Sequence, residues 1–251
     1  MGYGHPPVKV RADQLLVARG LVPTRARAQA LVLAGKVYLG ETRIDKAGAL
    51  LPDDAAIVLR AEDHPYVSRG GVKLAGALDT FGVDPRGKRC IDLGASTGGF
   101  TDCLLQRGAA SVAAVDVGYG QLAHKLRTDP RVLVLERTNA KTLEPEQVGG
   151  LADLIVIDAS FIGLGKLLPA VVRCLAPGGE LVALVKPQFE VGREEARRGK
   201  GVVRDPVVRA QAISGATDDV KAAGLEVLAA CDSTLEGPKG NREAFVHACK
   251  K

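Results

Sequence analysis

The chain has 251 residues, of which 46% are hydrophobic and 25% charged, and its formal net charge at pH 7 is +5. This composition is typical of a globular protein with a substantial core, and the length suits one large or two modest domains. The start of the chain has no apolar signal segment, and no uncharged apolar run is long enough to span a bilayer, which argues against secretion and membrane insertion. Five scattered cysteines without CxxC spacing indicate free thiols in a reducing cytoplasm.

Positive charge is concentrated at the start of the chain. Residues 1–60 contain nine Lys and Arg side chains against five Asp and Glu, whereas residues 61–251 contain 25 against 24. A local excess of cations favours binding to a polyanion. We therefore expect the first sixty residues to make the main contact with such a partner.

Two short helices and a small sheet are predicted in this basic segment. The first helix ends at Gly20, and the second begins near Pro23 and stops at Gly35. Two short strands with the sequences VYL and IVL follow, joined by turns. Arg25 and Arg27 lie near the positive end of the second helix, where a phosphate is stabilised.

The order of these residues resembles the S-four type (alpha-L) RNA-binding domain of ribosomal proteins and RNA-modifying enzymes. The resemblance covers about residues 10–60 and rests on RADQLL from Arg11, GL at Gly20, TR at Thr24 and GKV from Gly35. The segment LGETRI departs from the family, which more often has an asparagine before this glycine. A solvated basic face on an unrelated module is the alternative. The expected RNA-binding residues are Arg11, Arg19, Arg25, Arg27, Lys36 and Arg43.

A linker with the helix breaker Pro65 leads to a helix that Ser68 is suited to cap. This helix carries Lys73, which on its own would be interpreted as a solvent-facing lysine. The predicted parts of the chain are an RNA-binding domain at 8–61, a linker at 62–67 and a second domain at 68–251.

The stretch CIDLGASTGGFTDCLL, from Cys90 to Leu105, predicts a strand, a glycine turn and a helix. This order is the nucleotide-binding opening of a doubly wound sheet. Glycines are needed in the turn because the backbone approaches a ligand where a Cβ atom would clash. An ordinary strand-to-helix turn is the alternative for this motif taken alone.

Further strands are predicted after this turn, with polar residues at their carboxyl ends. Asp116 ends the second strand, where doubly wound folds carry an acid for the ribose hydroxyls of a cofactor. Asn139 lies beyond the third strand, Asp158 ends the fourth, and Lys186 ends the fifth. Two last strands, in EVLAACDS and REAFVHACK, are expected to pair antiparallel at the sheet edge.

Three features favour S-adenosylmethionine over a dinucleotide in this sheet. The turn is DxGxSxGG and lacks the GxGxxG spacing that cradles a pyrophosphate, a group that a sulfonium cofactor does not have. The LAPGG turn before the fifth strand is common in methyltransferases, and the terminal strand pair fits their seven-stranded sheet. The predicted fold class is α/β, with a Rossmann-like seven-stranded S-adenosylmethionine-dependent methyltransferase domain after a small N-terminal α+β RNA-binding domain.

Methyl transfer to a ribose 2'-hydroxyl needs a basic or charge-stabilising group at the oxygen, because this weak acid loses its proton as the methyl group moves. A lysine can serve if burial and a neighbouring cation lower its pKa while acids set the balance. Two lysines and two acids are the candidates for such a set: Lys73, Asp158, Lys186 and Glu243.

Nearly the whole chain resembles the TlyA family of rRNA methyltransferases, whose catalytic domain is similar to FtsJ-type ribose 2'-O-methyltransferases. The resemblance rests on SRGGVKL, DLGASTGGFTD, AVDVGYGQL, DLIVIDASFI, LVKPQFE, KGVVRDP and GNREAF. It implies a catalytic tetrad at the four candidates, in which Lys186 activates the 2'-hydroxyl of a cytidine in 16S or 23S rRNA within assembled subunits. For Glu243, a surface position on an edge strand is the alternative.

By analogy with this family, the glycine turn, Asp116 and Asn139 are expected to bind S-adenosylmethionine, and no metal ligands are predicted. Phe161 and Phe189 could stack on a flipped base, although for Phe161 we favour a place in the core. The expected cofactor contacts are Asp92, Gly94, Ser96, Thr97, Gly98, Gly99, Asp116, Val117, Asn139 and Asp158.

Two other function classes are considered. Members of the TlyA family are also known as haemolysins, but no spanning segment, secretion signal or aromatic-rich amphipathic face supports a membrane-active protein. A non-catalytic RNA-binding protein is the other class, and the presence of every candidate catalytic side chain weighs against it. We expect a cytoplasmic monomer that acts on rRNA in ribosomal subunits and has no membrane partner.

Overall fold

The computed structural model describes residues 8–33, 35–59, 64–191, 199, 201–237 and 239–251. The chain divides into two compact units, Met1–Pro65 and Tyr66–Lys251. The division falls inside the predicted linker, whose residues 62 and 63 lie outside the described part, as does Lys200 of the KGVVRDP motif.

The described part of the first unit contains two helices and five short strands. The helices are α1 (Ala12–Ala18) and α2 (Arg25–Leu33). The strands are β1 (Lys9–Arg11), β2 (Val37–Leu39), β3 (Thr42–Arg43), β4 (Leu50–Pro52) and β5 (Ile57–Leu59). β1 pairs with β4, and β2 lies between β3 and β5, all antiparallel. The predicted strands VYL and IVL are β2 and β5, whereas β1, β3 and β4 were not predicted, because they contain charged residues or, in β4, Pro52, which are uncommon in strands.

A seven-stranded sheet forms the centre of the second unit. Its strands are β6 (Arg89–Leu93), β7 (Ser111–Val115), β8 (Val132–Leu135), β9 (Ala152–Ile157), β10 (Leu175–Val185), β11 (Leu225–Asp232) and β12 (Ala244–Lys250). Their order across the sheet is β11-β12-β10-β9-β6-β7-β8. The strands from β10 to β8 run parallel, and β12 is antiparallel to both β10 and β11. The predicted Rossmann-like sheet and its antiparallel terminal pair are confirmed.

In the described part of the second unit there are six α-helices. They are α3 (Arg69–Phe81), α4 (Gly99–Gln106), α5 (His124–Arg127), α6 (Leu168–Cys174), α7 (Pro187–Glu190) and α8 (Pro206–Ala222). A 3₁₀ turn at Leu164–Lys166 precedes α6. Pro169 lies in the first turn of α6. Because proline has no N–H to donate, it is tolerated at the start of an α-helix and not in its interior.

The core of the second unit lies on both faces of the sheet, and β9 shows why. Leu154 and Val156 pack in one apolar cluster, whereas Ile155 and Ile157 pack in the other. Successive side chains of a strand point to opposite faces, so the middle of a central parallel strand is apolar on both faces. Asp158 is thereby held directly after four consecutive buried residues, 154–157, at the carboxyl end of the strand.

Candidate functional site

The predicted tetrad meets at the carboxyl edge of the sheet. Asp158 follows β9, and Lys186 follows the parallel neighbour β10. β12 is antiparallel to β10 with Ala244 opposite Val185, so the next position in register places Glu243 beside Lys186. Three adjacent strands thus bring two acids and one lysine to one edge.

Lys73 completes this group from α3. Its Nζ donates a hydrogen bond to Glu243 Oε2, and only 7% of Lys73 and 2% of Glu243 is exposed. Two charges are buried together only when each neutralises the other. The interpretations of Lys73 as a solvent-facing lysine and of Glu243 as a surface glutamate are therefore wrong.

Lys186 has a more open environment than Lys73. Its Nζ lies 2.5 Å from Asp158 Oδ1, at an angle outside that of a hydrogen bond, and donates to Ser160 Oγ at 3.0 Å. It also lies 3.5 Å from the carbonyl oxygen of Asp158. Ser160 was not predicted as a site residue, although its place two residues after a strand-end acid is a signal that could have identified it.

A cavity of about 340 Å³ adjoins this lysine. Four of the ten predicted cofactor contacts line it, together with two residues that follow Asp158: Gly94, Asp116, Val117, Asn139, Ala159 and Ser160. Ser160 therefore connects the cavity wall to the amine of Lys186. The other predicted contacts lie in or behind the glycine turn or at the adjoining strand end.

The glycines of the turn serve two different purposes. Gly94 has φ 90°, and a Cβ there would lie 2.8 Å from the carbonyl oxygen of Asp158, so the turn can pack this closely against the end of β9 only with glycine at this position. A Cβ on Gly98 would meet Leu122 at 2.8 Å, and one on Gly99 would meet the Gly71 backbone nitrogen at 2.9 Å. Gly98 and Gly99 thus allow the start of α4 to pack closely against its neighbours.

Asp116 fixes the loop above the strand ends. Its Oδ2 accepts from the Ser96 backbone N–H at 2.8 Å, and its Oδ1 accepts from the Gly118 N–H at 2.7 Å. Ser96 has φ 47°, a left-handed conformation that this hydrogen bond helps to hold. A carboxylate oxygen can accept more than one hydrogen bond, so Asp116 retains acceptor capacity towards the cavity.

Asp92 lies fully buried beneath the turn. Its Oδ2 accepts from the backbone N–H and the hydroxyl of Thr101, at 2.9 and 2.7 Å, and its Oδ1 has no hydrogen-bond partner among the residues that the structure describes. Burial raises the pKa of this carboxyl to about 7. The Thr97 carbonyl accepts from the Ala123 N–H at 3.2 Å, so this part of the turn also makes internal contacts.

The polar side of the cavity also includes Asn139. Its side-chain oxygen accepts from the Lys141 backbone N–H at 3.1 Å and caps the 3₁₀ turn Ala140–Thr142. This hydrogen bond fixes the orientation of the amide, and a fixed amide is suited to recognise a polar ring edge.

Phe161 does not lie in the core. The residue lies on the loop after β9, 91% of it is exposed, and its φ is 64°. The nearest aromatic ring is that of Phe189, with ring centroids 5.1 Å apart. The expectation of a core position is wrong, because the residue follows the loop out of the sheet.

In the first unit, a buried acid organises two of the predicted RNA-binding arginines. Asp13 accepts from Arg11 Nε and Nη2 at 3.0 and 2.9 Å, from Arg25 Nε at 2.9 Å and from Gln29 Nε2 at 3.0 Å. The hydrogen bonds from Arg11 hold the pKa of this carboxyl well below its usual range. Arg11 and Arg25 therefore have a structural function in addition to any contact with RNA.

The other predicted cations of this unit differ in how they are held. Arg19 donates to the carbonyl oxygens of Asp53 and Ala55, and Arg43 forms an ion pair with Asp45 at 2.6 Å. Among the described residues, the side chain of Arg27 has no hydrogen-bond or ion-pair partner. Lys36 lies before β2 and is half-buried.

The cysteines are free thiols. Burial raises the pKa of Cys90 to about 12 and that of Cys103 to about 11, so both stay protonated and poorly nucleophilic at neutral pH. Within the described ranges, no three His, Cys, Asp or Glu side chains are grouped so that they could hold a metal ion.

Two family descriptions match the chain, one in each unit. The S4 domain matches residues 10–56, and the FtsJ-like methyltransferase matches residues 66–250. Among its relatives is a protein of Mycobacterium tuberculosis named 16S/23S rRNA (cytidine-2'-O)-methyltransferase TlyA, to which the chain is 48% identical over 239 residues. The alignment covers 95% of this chain and 89% of that protein.

Two further relatives have haemolysin names. Hemolysin A of Brachyspira hyodysenteriae is 37% identical, over 95% of this chain and 99% of that protein. A solved structure from Streptococcus thermophilus with a hemolysin name is 42% identical and covers 98% of this chain and 89% of that one, with a TM-score of 0.76. In the part of this chain that the structure describes, no helix combines the length and apolar character needed to cross a bilayer.

Proposed function

The chain belongs to the FtsJ-like methyltransferases, and from this premise we propose that it transfers the methyl group of S-adenosylmethionine to the 2'-hydroxyl of a cytidine in ribosomal RNA. One observation carries the proposal: Lys186 Nζ donates a hydrogen bond to Ser160, a residue of the cavity wall. A relative 48% identical has this activity in its name, which supports the substrate class.

The residues around the cavity fit the proposed cofactor. Gly94 lets the turn pack against the backbone of Asp158 and Ala159 at the cavity wall, Asp116 offers an acceptor suited to ribose hydroxyls, and Asn139 offers a fixed amide. The bound cofactor would supply an electrophilic methyl group on a sulfonium centre. Asp92, Ser96, Thr97, Gly98 and Gly99 would act by holding the turn in place.

Lys186 is the residue that we propose to act on the hydroxyl. Its amine can accept the proton that leaves the 2'-oxygen, or as a cation can stabilise the charge that develops there. Asp158 and Ser160 restrict where the amine can lie, which holds it in position for this step. Lys73 and Glu243 form an ion pair next to Lys186, and this pair fixes the position at which β12 begins.

RNA binding is proposed to begin at the first unit. Its S4 domain contains exposed arginines, and Arg27 has no side-chain partner among the described residues. Affinity for RNA should fall with salt by about 0.7 units of log K per unit of log salt for each phosphate contact to a single strand. Removing residues 1–60 should lower both the affinity and this slope, and unchanged binding would contradict the proposal. We further propose that the protein acts as a cytoplasmic monomer.

The decisive experiment is transfer of labelled methyl from S-adenosylmethionine to separated 30S and 50S subunits that lack the modification. We expect label on a cytidine 2'-oxygen, which mapping of the modified ribose would show. Cofactor binding without label on either subunit would contradict the proposed substrate. Absence of cofactor binding would contradict the proposed use of the cavity.

A further inference from the structure

A second cleft, of about 440 Å³, lies in the same unit and has no assigned use in the reaction. Its walls are the segment before α8, the first turn of α8 and the turn between β11 and β12. Four cationic side chains line it against one carboxylate, that of Glu236. The cations are Arg204, Arg209, Lys239 and Arg242.

The cleft lies next to the tetrad, on the side away from the cofactor cavity. β11 ends and β12 begins at the carboxyl edge of the sheet, because β12 runs antiparallel to both of its neighbours. Arg242 immediately precedes Glu243, and Arg209 Nη2 lies 3.5 Å from the carbonyl oxygen of Glu243. Along this edge the cavity, the tetrad and the cleft therefore follow one another, as the strand order β7-β6-β9-β10-β12-β11 requires.

Two of the four cations are held by a shared acid, and two are not. Arg209 and Arg242 both bind Asp232, the latter at 3.2 Å. Arg204 and Lys239 have no side-chain hydrogen bond or ion pair with any residue that the structure describes. The cleft therefore keeps an excess of positive charge after Glu236 and Asp232 are counted.

The walls of the cleft are joined by a buried amide. Asn241 is 2% exposed, its Nδ2 donates to the Gly201 carbonyl at 2.8 Å, and its Oδ1 accepts from the Val203 N–H at 2.9 Å. The Gly237 N–H donates to the Asn241 carbonyl at 2.8 Å and closes the β11–β12 turn. The basic side chains thus lie on two segments, one leading into α8 and one between β11 and β12, that are hydrogen-bonded to each other through Asn241. Arg242, which follows Asn241, connects this arrangement to Glu243.

We propose that this cleft binds a backbone phosphate of the RNA strand that carries the target ribose, next to the nucleotide at the tetrad. The inference rests on the proposed function, since it takes the substrate to be RNA. With the cofactor on one side of Lys186, the strand has to leave the site on another side, and the cleft is the basic surface that adjoins it. Guanidinium groups match the geometry of phosphate oxygens, and lysine adds a mobile charge.

The test replaces the two cations that have no partner among the described residues, in the double variant Arg204→Gln with Lys239→Gln. The matched control, Lys221→Gln with Lys251→Gln, removes the same charge from the opposite edge of the sheet, where both lysines form exposed ion pairs. For 30S and 50S subunits we expect KM and Kd to rise on the order of tenfold in the cleft variant, with a lower salt slope. Its affinity for S-adenosylmethionine should equal that of the control.

Three results are distinguishable. A cleft variant that matches the control in subunit binding and salt slope would overturn the inference. Weaker binding of inorganic phosphate alone, with subunit binding unchanged, would also overturn it and assign the cleft to a free anion. Wild-type protein that binds subunits but transfers no methyl group would contradict the proposed function. Even then, weaker subunit binding in the cleft variant and not in the control would support an RNA phosphate site in the cleft.

Discussion

The two lysine–carboxylate pairs at the sheet edge have the same chemistry but differ in exposure. The side chains of Lys73 and Glu243 are 9% and 1% exposed, whereas those of Lys186 and Asp158 are 12% and 25% exposed. The first pair is sealed on both sides, and the second is open on the side of its acid. A substrate can therefore reach the second pair and not the first, so we assign reaction to one and positioning to the other.

The sealed pair owes its burial to the turn before β12. A Cβ on Gly237 would lie 2.7 Å from Glu243 Oε1, which shows how closely that turn covers the carboxylate. The open pair instead follows two strands that end at the cavity. Four predictions test whether exposure separates the two functions.

The largest effect is expected for Lys186→Ala. Losing a group that handles the hydroxyl proton should lower kcat by about 10²–10⁴-fold. Binding of S-adenosylmethionine and of ribosomal subunits should persist, because the partners of the Lys186 side chain among the described residues are Asp158 and Ser160, both at the site itself. Lys166→Ala, at an exposed lysine on the 3₁₀ turn, is the control for charge removal. Full activity in the Lys186 variant would reverse the assignment of the two pairs.

The next effect is expected on stability, in Lys73→Met. This change leaves the Glu243 carboxylate buried without its cation and should lower the free energy of unfolding by about 3–5 kcal/mol. The double variant Lys73→Met with Glu243→Met removes both charges and should recover most of that loss. Denaturant unfolding measures both. Equal losses in the single and double variants would show that the pair is not coupled as the structure indicates.

A third acid near this edge shows the result of burial without a cation. Burial raises the pKa of Asp92 from 3.8 to about 7 in the fold, so between pH 4 and 7 the folded chain binds more protons than the unfolded chain. Stability contributed by this group is therefore lost as pH rises through that window, by up to about 4 kcal/mol. The difference in unfolding free energy between the wild type and Asp92→Asn should change with pH in this range. A difference independent of pH would contradict the raised pKa.

The smallest effect is expected for Ser160→Ala. The variant loses one hydrogen bond to Lys186, worth about 1 kcal/mol, so kcat should fall about fivefold. Ser160→Thr retains the hydroxyl and should recover most of the rate. Steady-state kinetics of both variants measure this, and an effect confined to KM would mean that Ser160 contacts substrate without positioning the lysine.

The sequence was most informative where position along a strand decides the location of a side chain. Asp158 and Lys186 were predicted together because parallel strands end at one edge, and the structure pairs them. The bond between Lys73 and Glu243 joins residues 170 positions apart, so only resemblance to a family could suggest it. Phe161 was misplaced because its exposure depends on the loop conformation after β9, which apolar character does not reveal.

The cluster around Asp13 changes how substitutions in the first unit should be interpreted. Arg11 and Arg25 neutralise a carboxylate that is otherwise completely enclosed, so replacing either one disturbs folding as well as any contact with a ligand. A loss of RNA affinity in such a variant would be ambiguous between misfolding and missing contacts. Arg27 lies on the same helix as Arg25, and its side chain has no partner among the described residues. A loss of RNA affinity on replacing Arg27 would therefore report a missing RNA contact and not a disturbed fold.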